Sequence, residues 1–163
     1  MSSALRIRPY ITTDHAACLR IFRSNMPKFF IASEELDFIG WLDSLDGNNP
    51  GENDDGEVHY FVAEVDDDVR GCGGWGIRVG ANNATLIWGM VDSACQGQGI
   101  GGALTQHRLD GFRAAHPAMD IAIDTSHHAA PFYKRFGFVT EKFTEDGYEP
   151  GLHRYDMRLR ADL

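Results

Sequence analysis

A glycine-dense loop is the stretch of this sequence whose residue types and spacing are best suited to chemistry. It reads QGQGIGG at residues 96–102, follows an apolar strand-like run at 86–91, and precedes a helix-compatible segment that Pro117 closes. Glycines leave backbone N–H groups uncovered by side chains, and a helix that begins there adds unpaired N–H groups and a positive dipole end. The pattern therefore predicts a site for an anion, most often a phosphate.

Two nucleotide motifs compete for this loop. A Walker loop is poorly supported, because no Lys-Ser or Lys-Thr pair ends the glycine run. The G-x-G-x-x-G spacing at 97–102 matches the dinucleotide fingerprint, with Asp120 and Asp124 about 20 residues downstream. However, residues 92–96 separate the loop from its strand, and the remaining chain is too short for several more βαβ units. Dinucleotide binding, and a glycine turn without a ligand, stay open as alternatives.

Hydrophobic patterns around the loop predict a mixed α/β chain in the order β-α-α-β-β-β-α-β-α-β-β. Strands are predicted at residues 5–8, 59–65, 69–79, 84–91, 119–124, 138–143 and 151–160. Helices are predicted after the cap residues at 12–14, after Ser33, after the glycine loop, and over 125–136, with Thr125 and Ser126 as caps. The acidic segment 43–57 carries no base and predicts a solvated loop that need not be ordered.

Length and composition limit the function classes. A chain of 163 residues, 43% hydrophobic, suits one domain spanning residues 1–163. A net charge of −9 without a basic stripe argues against nucleic-acid binding and favours cationic partners such as amines. Cys18, Cys72 and Cys95 lack metal-ligand spacing, so neither a zinc site nor a disulfide framework is expected. With no membrane-length apolar run and no signal peptide at the N-terminus, we expect a cytoplasmic protein.

Two motifs together resemble the signatures of the GCN5-related N-acetyltransferase (GNAT) family. Gln96-x-x-Gly99-x-Gly101 resembles the family's Q/R-x-x-G-x-G/A signature, with a strand before it and a helix after it. The run SHHAAPFYKRFGF at residues 126–138 is similar to the family's second motif, N-x-x-A-x-x-x-Y-x-x-x-G-F. The resemblance implies the GNAT fold, a mixed α/β (α+β) domain with about four helices around a mostly antiparallel sheet of about six or seven strands. That sheet would be splayed between its fourth and fifth strands, those predicted at 84–91 and 119–124.

The resemblance also implies acetyl-CoA as the acyl donor and no metal. The diphosphate would lie against the loop amides, and the pantetheine arm would occupy the gap between the two parted strands. The implied cofactor-binding residues are Met90, Val91, Gln96, Gly97, Gln98, Gly99, Ile100, Gly101, Gly102, Ala103, Ser126 and Phe132. Ser126 stands where the family usually has asparagine, so it can make one hydrogen bond to the pantetheine rather than two opposed ones.

For the chemistry, the resemblance implies that a neutral amine attacks the thioester while a backbone N–H near Met90 stabilises the developing oxyanion. Tyr133 stands at the position of the family's frequent general acid, which protonates the CoA thiolate. No acid lies on the strand at 87–91, where many relatives keep a glutamate base. Asp124 is our candidate base, and the others are Glu34, Glu35, Glu64, His153 and a water chain.

The predicted function is transfer of an acetyl group from acetyl-CoA to a primary amine of a small molecule, by a monomer or homodimer. A non-catalytic CoA-binding sensor and acetylation of a peptide or protein amine stay as alternatives. His127 and His128 are not expected to share a metal ion, because adjacent helical residues point about 100° apart. Arg108, Lys134 and Arg135 are expected on the solvated surface rather than at the 3′-phosphate of the nucleotide.

Overall fold

A single mixed sheet forms the centre of the computed structural model, which describes residues 4–53 and 56–161. Its strands are β1 Leu5–Pro9, β2 Gly51–Asn53, β3 Gly56–Val65, β4 Asp68–Arg78, β5 Ala84–Val91, β6 Ile121–Ser126, β7 Val139–Glu149 and β8 Leu152–Leu159. The helices are α1 His15–Ser24, α2 Glu34–Asp43, α3 Ile100–Ala115 and α4 Ala130–Lys134. The strand order is β1-β3-β4-β5-β6-β8-β7, and β2 pairs with β3, so the sheet has eight strands.

Alternation along the strands separates two cores, one on each face of the sheet. On β3, Tyr60 packs into the core that contains α1 and α2, whereas its neighbour Phe61 packs against the core of α3 and α4. Phe22 of α1 and Phe38 of α2 stack at 5.3 Å between ring centroids. Phe112 of α3 belongs to the other core. The two helices that carry the predicted motifs therefore share one face of the sheet.

The predicted splay between strands is confirmed at β5 and β6. These two strands run parallel, and their register contains only Ala84 with Ile121 and Thr85 with Ala122. Beyond that point residues 86–91 and 123–126 turn unpaired backbone groups toward each other. Every other strand pairing in the described part of the chain is antiparallel, so the sheet is not the parallel sheet of a dinucleotide-binding fold.

A β-bulge distorts β5 along its divergent part. Cys72 pairs with Met90 and Gly74 pairs with Ile87, so two residues of β5 face the single residue Gly73. The first of the two, Trp88, has a left-handed φ of +41°, which is uncommon for a large residue. The bulge therefore sets the direction of the backbone immediately before the acyl-binding position predicted at Met90.

Three secondary-structure predictions need correction. The segment predicted as a solvated loop at 43–57 contains β2 and the start of β3, because Gly51–Asn53 pairs with β3 as an antiparallel strand. Just before β2, the side chain of Asn49 bonds both backbone groups of Tyr60. The strand predicted at 119–124 lies at Ile121–Ser126, so Thr125 and Ser126 extend a strand instead of capping a helix. The following helix is confined to Ala130–Lys134.

Some predictions reach beyond the described residues. Asp54 and Asp55 of the acidic segment, and residues 1–3 and 162–163 of the predicted domain, lie outside them. Among the described helices, none is long and apolar enough to cross a membrane.

Candidate active site

A cavity of about 740 Å³ opens where β5 and β6 part. Its walls come from these two strands, the glycine loop, the first turns of α3, and α4. The predicted site residues that line it are Met90, Val91, Gln96, Gly97, Gly99, Ile100, Gly101, Gly102, Asp124, Ser126, Phe132 and Tyr133. The other two predicted residues, Gln98 and Ala103, lie outside this lining. Residues from both motifs thus meet around one space.

The glycine loop ends in a helix start that bears unpaired amides. Gly97 and Gly99 have left-handed φ values of +82° and +83°, which favour glycine. Gly99 is the N-cap of α3 without a side-chain cap, and Ala103 N donates to Gly99 O at 3.1 Å. Because that is the first helical bond, the N–H groups of Ile100, Gly101 and Gly102 have no partner within the helix. These three amides suit a diphosphate, while the amide of Ala103 is already bonded to Gly99 O.

A buried asparagine, which the sequence analysis missed, fixes the loop to the rest of the site. Asn25 follows α1 and is 4% exposed. Its Nδ2 donates to Ile21 O at 2.8 Å and to Val91 O at 2.9 Å, and its Oδ1 accepts from Gln96 Nε2 at 3.0 Å. One side chain therefore joins the end of α1, the end of β5 and the start of the loop. Gln96 thus uses one of its two Nε2 donors on a structural partner.

Ser126 and Phe132 form the part of the cavity wall opposite β5. Ser126 is 4% exposed, and its Oγ has no hydrogen-bond partner among the described residues. A buried hydroxyl without a partner is costly, so a polar group of a ligand in the gap would satisfy it. A Cβ added to Gly101 would lie 3.7 Å from Phe132 Cζ, so the ring packs close to the helix start. Both observations fit a linear, amide-bearing ligand such as the pantetheine arm.

Tyr133 places a phenol beside the same space. The residue is 6% exposed and packs edge-on against Phe132 and Phe138, with ring centroids 5.1 and 5.9 Å away. It lines the cavity, and its hydroxyl makes no hydrogen bond within the described part of the chain. The ring is therefore fixed by packing while its O–H remains available to a ligand.

Two carboxylates, Asp124 and Glu34, line the cavity. Tyr148 Oη donates to Asp124 Oδ2 at 2.8 Å, and Arg154 Nη1 lies 4.0 Å from the same oxygen. Burial raises the pKa of Glu34 above its ordinary value; a hydrogen bond from Ile31 N opposes this shift and the charge of Asp124 reinforces it. Burial, and then Asp124, also raise the pKa of Tyr148. The pair forms an acidic wall suited to a cationic amine.

The other predicted candidates for the base are occupied elsewhere. Glu35 pairs with Arg23 at 2.7 Å, and Glu64 pairs with Arg8. His153 Nδ1 accepts a backbone N–H at 3.0 Å. None of the three lines the cavity, so Asp124 and Glu34 are its carboxylates.

The rings of the two histidines next to α4 lie against each other at a tilt. The rings of His127 and His128 lie 4.0 Å apart, and His128 lines the cavity. Burial, followed by the positive charges that His127 and Lys28 can carry, lowers the pKa of His128. The described residues contain no group of side chains arranged to hold a metal ion.

The prediction of a solvated Arg108 is wrong. Arg108 is 2% exposed and lines the cavity, because it occupies the buried face of α3 one turn after Leu104 and one turn before Phe112. That spacing is the signal that could have identified it. Arg135 also lines the cavity, whereas Lys134 does not.

Comparison with known proteins gives the fold and the family of the chain. No curated protein matches the chain. A solved GNAT-family structure from Desulfovibrio desulfuricans is 23% identical, with a TM-score of 0.76 over 96% of this chain and 99% of that one. The ribosomal-protein-S18-alanine N-acetyltransferase of Escherichia coli is 20% identical, with a TM-score of 0.75 over 98% and 96%.

A third structure, yncA from Salmonella typhimurium with its cofactor acetyl-CoA, is 17% identical, with a TM-score of 0.74 over 99% of this chain and 96% of that one. At these identities the structures establish a shared fold. The family model described as the acetyltransferase (GNAT) domain matches residues 28–161, which is most of the chain. The chain therefore belongs to the GNAT acetyltransferase family.

Proposed function

We propose that this protein transfers an acetyl group from acetyl-CoA to a primary amine of a small molecule. The observation that carries the proposal is the continuity of one cavity, which joins the unpaired amides at the start of α3 to the Tyr133 hydroxyl through the gap between β5 and β6. Along the cavity, an anion site for the diphosphate comes first, then a gap for the pantetheine arm, and then a proton donor for the thiolate. This is the order of the corresponding parts in acetyl-CoA.

Three groups of residues would hold acetyl-CoA. The N–H groups of Ile100, Gly101 and Gly102 would bind the diphosphate, since they lie at the positive end of α3. The unpaired edges of β5 and β6 would bind the pantetheine amides, and Ser126 Oγ would add one hydrogen bond. With a net charge of −9, the chain repels an anionic ligand at long range, so this local set of donors has to provide the affinity.

The thioester of acetyl-CoA supplies the acyl group. A neutral amine attacks the carbonyl carbon, and the backbone N–H near Met90 stabilises the negative charge that builds on the oxygen. Tyr133 donates its proton to the departing thiolate, and Asp124 takes the excess proton of the amine, directly or through water. Glu34, with its raised pKa, lines the same cavity and helps to hold the incoming ammonium group.

The acceptor is a small amine because the cavity offers both an acidic wall and aromatic surface. Phe29, Phe30 and Trp88 line the cavity together with Asp124 and Glu34. An ammonium group is attracted to the carboxylates and to aromatic faces. A peptide amine is the second candidate, favoured by the fold shared with the Escherichia coli enzyme named for ribosomal-protein alanine. One domain, a cytoplasmic location and a monomer or homodimer stay predictions.

The test is thiol release from acetyl-CoA across a panel of small primary amines and a peptide that begins with alanine. We expect Tyr133→Phe to lower kcat about 100-fold with an unchanged Kd for CoA, because only proton donation is lost. Tyr155→Phe is the matched control, since Tyr155 does not line the cavity. A fully active Tyr133→Phe enzyme contradicts the acid role. A wild type that binds CoA but releases no thiol with any amine supports the sensor alternative instead.

A further inference from the structure

Arg108 is a buried cation without a counter-ion. It is 2% exposed, and within the described residues it forms no ion pair. Its Nη1 lies at a long 3.4 Å from Gly74 O, its Nη2 donates to Thr105 Oγ1 at 3.2 Å, and its Nε has no partner. A guanidinium carries five N–H donors and stays protonated in proteins. Most of its hydrogen-bonding capacity and all of its charge are therefore uncompensated by the protein.

The sheet makes room for this side chain at the β5 bulge. A Cβ added to Gly89 would lie 2.8 Å from both Nη atoms of Arg108, and one added to Gly73 would lie 3.1 Å from Cζ and Nη1. The distance at Gly89 is shorter than real Cβ atoms show and the distance at Gly73 is unusually short, so a larger residue at either position would force the guanidinium to move. Tyr60 Oη donates to the bulge carbonyl of Trp88 at 2.7 Å. The bulge thus lies between a tyrosine and an arginine.

Stability gives no reason to keep a charge at this position. Burying an unpaired cation costs several kcal/mol, and an apolar side chain of similar length would pack there without that cost. Leu104 and Phe112, one turn before and one turn after Arg108 on the same face of α3, are buried apolar side chains. Groups that destabilise a fold are typical of functional sites, and Arg108 lines the cavity next to Gly89 and Met90.

We propose that Arg108 is a positioning residue for acyl transfer, which holds the β5 bulge in place and sets an unneutralised positive charge behind the backbone donors at Met90. This inference rests on the proposed function, because it concerns the carbonyl oxygen of the bound thioester. Negative charge develops on that oxygen during attack, and a fixed cation in a water-poor site stabilises it more than the neutral ground state. The guanidinium lies against the bulge glycines Gly73 and Gly89, and its charge acts across them.

The experiment compares Arg108→Met, Arg108→Lys and wild type for kcat, KM for acetyl-CoA, Kd for CoA and Tm. Arg113→Met is the control, since Arg113 lies on the same helix and is bonded to carbonyls at the surface. We expect Arg108→Met to lower kcat about 100-fold with Kd for CoA unchanged and Tm equal or higher. Arg108→Lys keeps the positive charge but loses the planar guanidinium group. We therefore expect its kcat to be about tenfold higher than that of Arg108→Met.

Each other outcome overturns the proposal. A kcat of Arg108→Met within about threefold of wild type means that the charge does not act on the reaction. A Tm of Arg108→Met well below that of Arg113→Met, or a chain that does not fold, means that the guanidinium is kept for stability. A lysine variant no faster than the methionine variant means that the positive charge does not stabilise the transition state. If the wild type itself releases no thiol, the proposed function fails and the inference about Arg108 fails with it. If the wild type is active and Arg108→Met is equally active, only the inference about Arg108 fails.

Discussion

Replacing Asn25 by alanine separates the glycine loop from the two elements that hold it. The change removes hydrogen bonds to Ile21 O at 2.8 Å, to Val91 O at 2.9 Å and from Gln96 Nε2 at 3.0 Å, together with a long one to Ser24 Oγ at 3.4 Å. Each bond contributes about 1 kcal/mol net. Gln96 is exposed and can bond water instead, so the two bonds to the backbone carbonyls of Ile21 and Val91 dominate. We expect the free energy of unfolding to fall by about 2 kcal/mol.

The assay is urea denaturation together with a CoA titration. For a chain of this size, about 2 kcal/mol corresponds to a Tm lowered by about 4–8 °C. The affinity for CoA should fall severalfold as well, because the loop that carries the amides loses its attachment to β5. Gln106→Ala is the control, since it removes one exposed side-chain bond to Asp110 and should change stability by less than about 0.5 kcal/mol. A stability loss for Asn25→Ala as small as that of the control, with CoA affinity unchanged, refutes the reasoning.

Two further changes test the loop and the acidic wall. Gly99→Ala should lower the free energy of unfolding, measured by urea denaturation, by about 1–2 kcal/mol, because the φ of +83° strains any residue with a side chain. Gly102→Ala is the control: nothing lies within 4 Å of the new Cβ at either position, but Gly102 has no left-handed φ, so no loss of stability is expected. Equal losses for the two variants would contradict this reasoning. Glu34 has a raised pKa in the fold, so its contribution to stability is fully present below the unfolded pKa and is lost as pH rises through the folded pKa. As pH rises from the unfolded pKa to the folded pKa, the stability of Glu34→Gln relative to wild type should therefore increase, and above the folded pKa it should stay constant. Urea denaturation at a series of pH values measures this difference. A difference independent of pH would count against the burial of this carboxylate.

The parts of the site that lie in continuous segments could be predicted from the sequence. The glycine loop, the start of α3 and the position of Tyr133 each depend on residue types a few positions apart, and these proved to line one cavity. The splay between β5 and β6 came from the family resemblance, since no local pattern distinguishes a parted pair of strands from a zipped pair. The roles of these residues toward a ligand stay proposals.

Contacts between distant segments could not be predicted in this way. Asn25 meets Val91 and Gln96 only after α1 has packed against the sheet, and Tyr148 reaches Asp124 from a different strand. Arg108 was expected in solvent because arginine is usually exposed, although its helical spacing placed it on the buried face. The two glycines that accommodate it lie on separate strands, so their relation to the arginine is visible only in three dimensions.

Composition was misleading for the acidic segment. Its charge and its glycine and asparagine content predicted a solvated loop, yet Leu45 is buried and the side chain of Asn49 bonds both backbone groups of Tyr60. The amide of one asparagine supplies both a donor and an acceptor, so it can satisfy the backbone of a strand residue as a neighbouring strand would. A single residue of this kind produces no alternating pattern in the sequence.

A crystal structure of the protein with coenzyme A tests the central claim most directly. We predict that the diphosphate lies against the N–H groups of Ile100, Gly101 and Gly102, that the pantetheine arm fills the gap between β5 and β6, and that its thiol lies within reach of the Tyr133 hydroxyl. A diphosphate bound elsewhere, or β5 and β6 closed against each other with the ligand outside, would contradict the account.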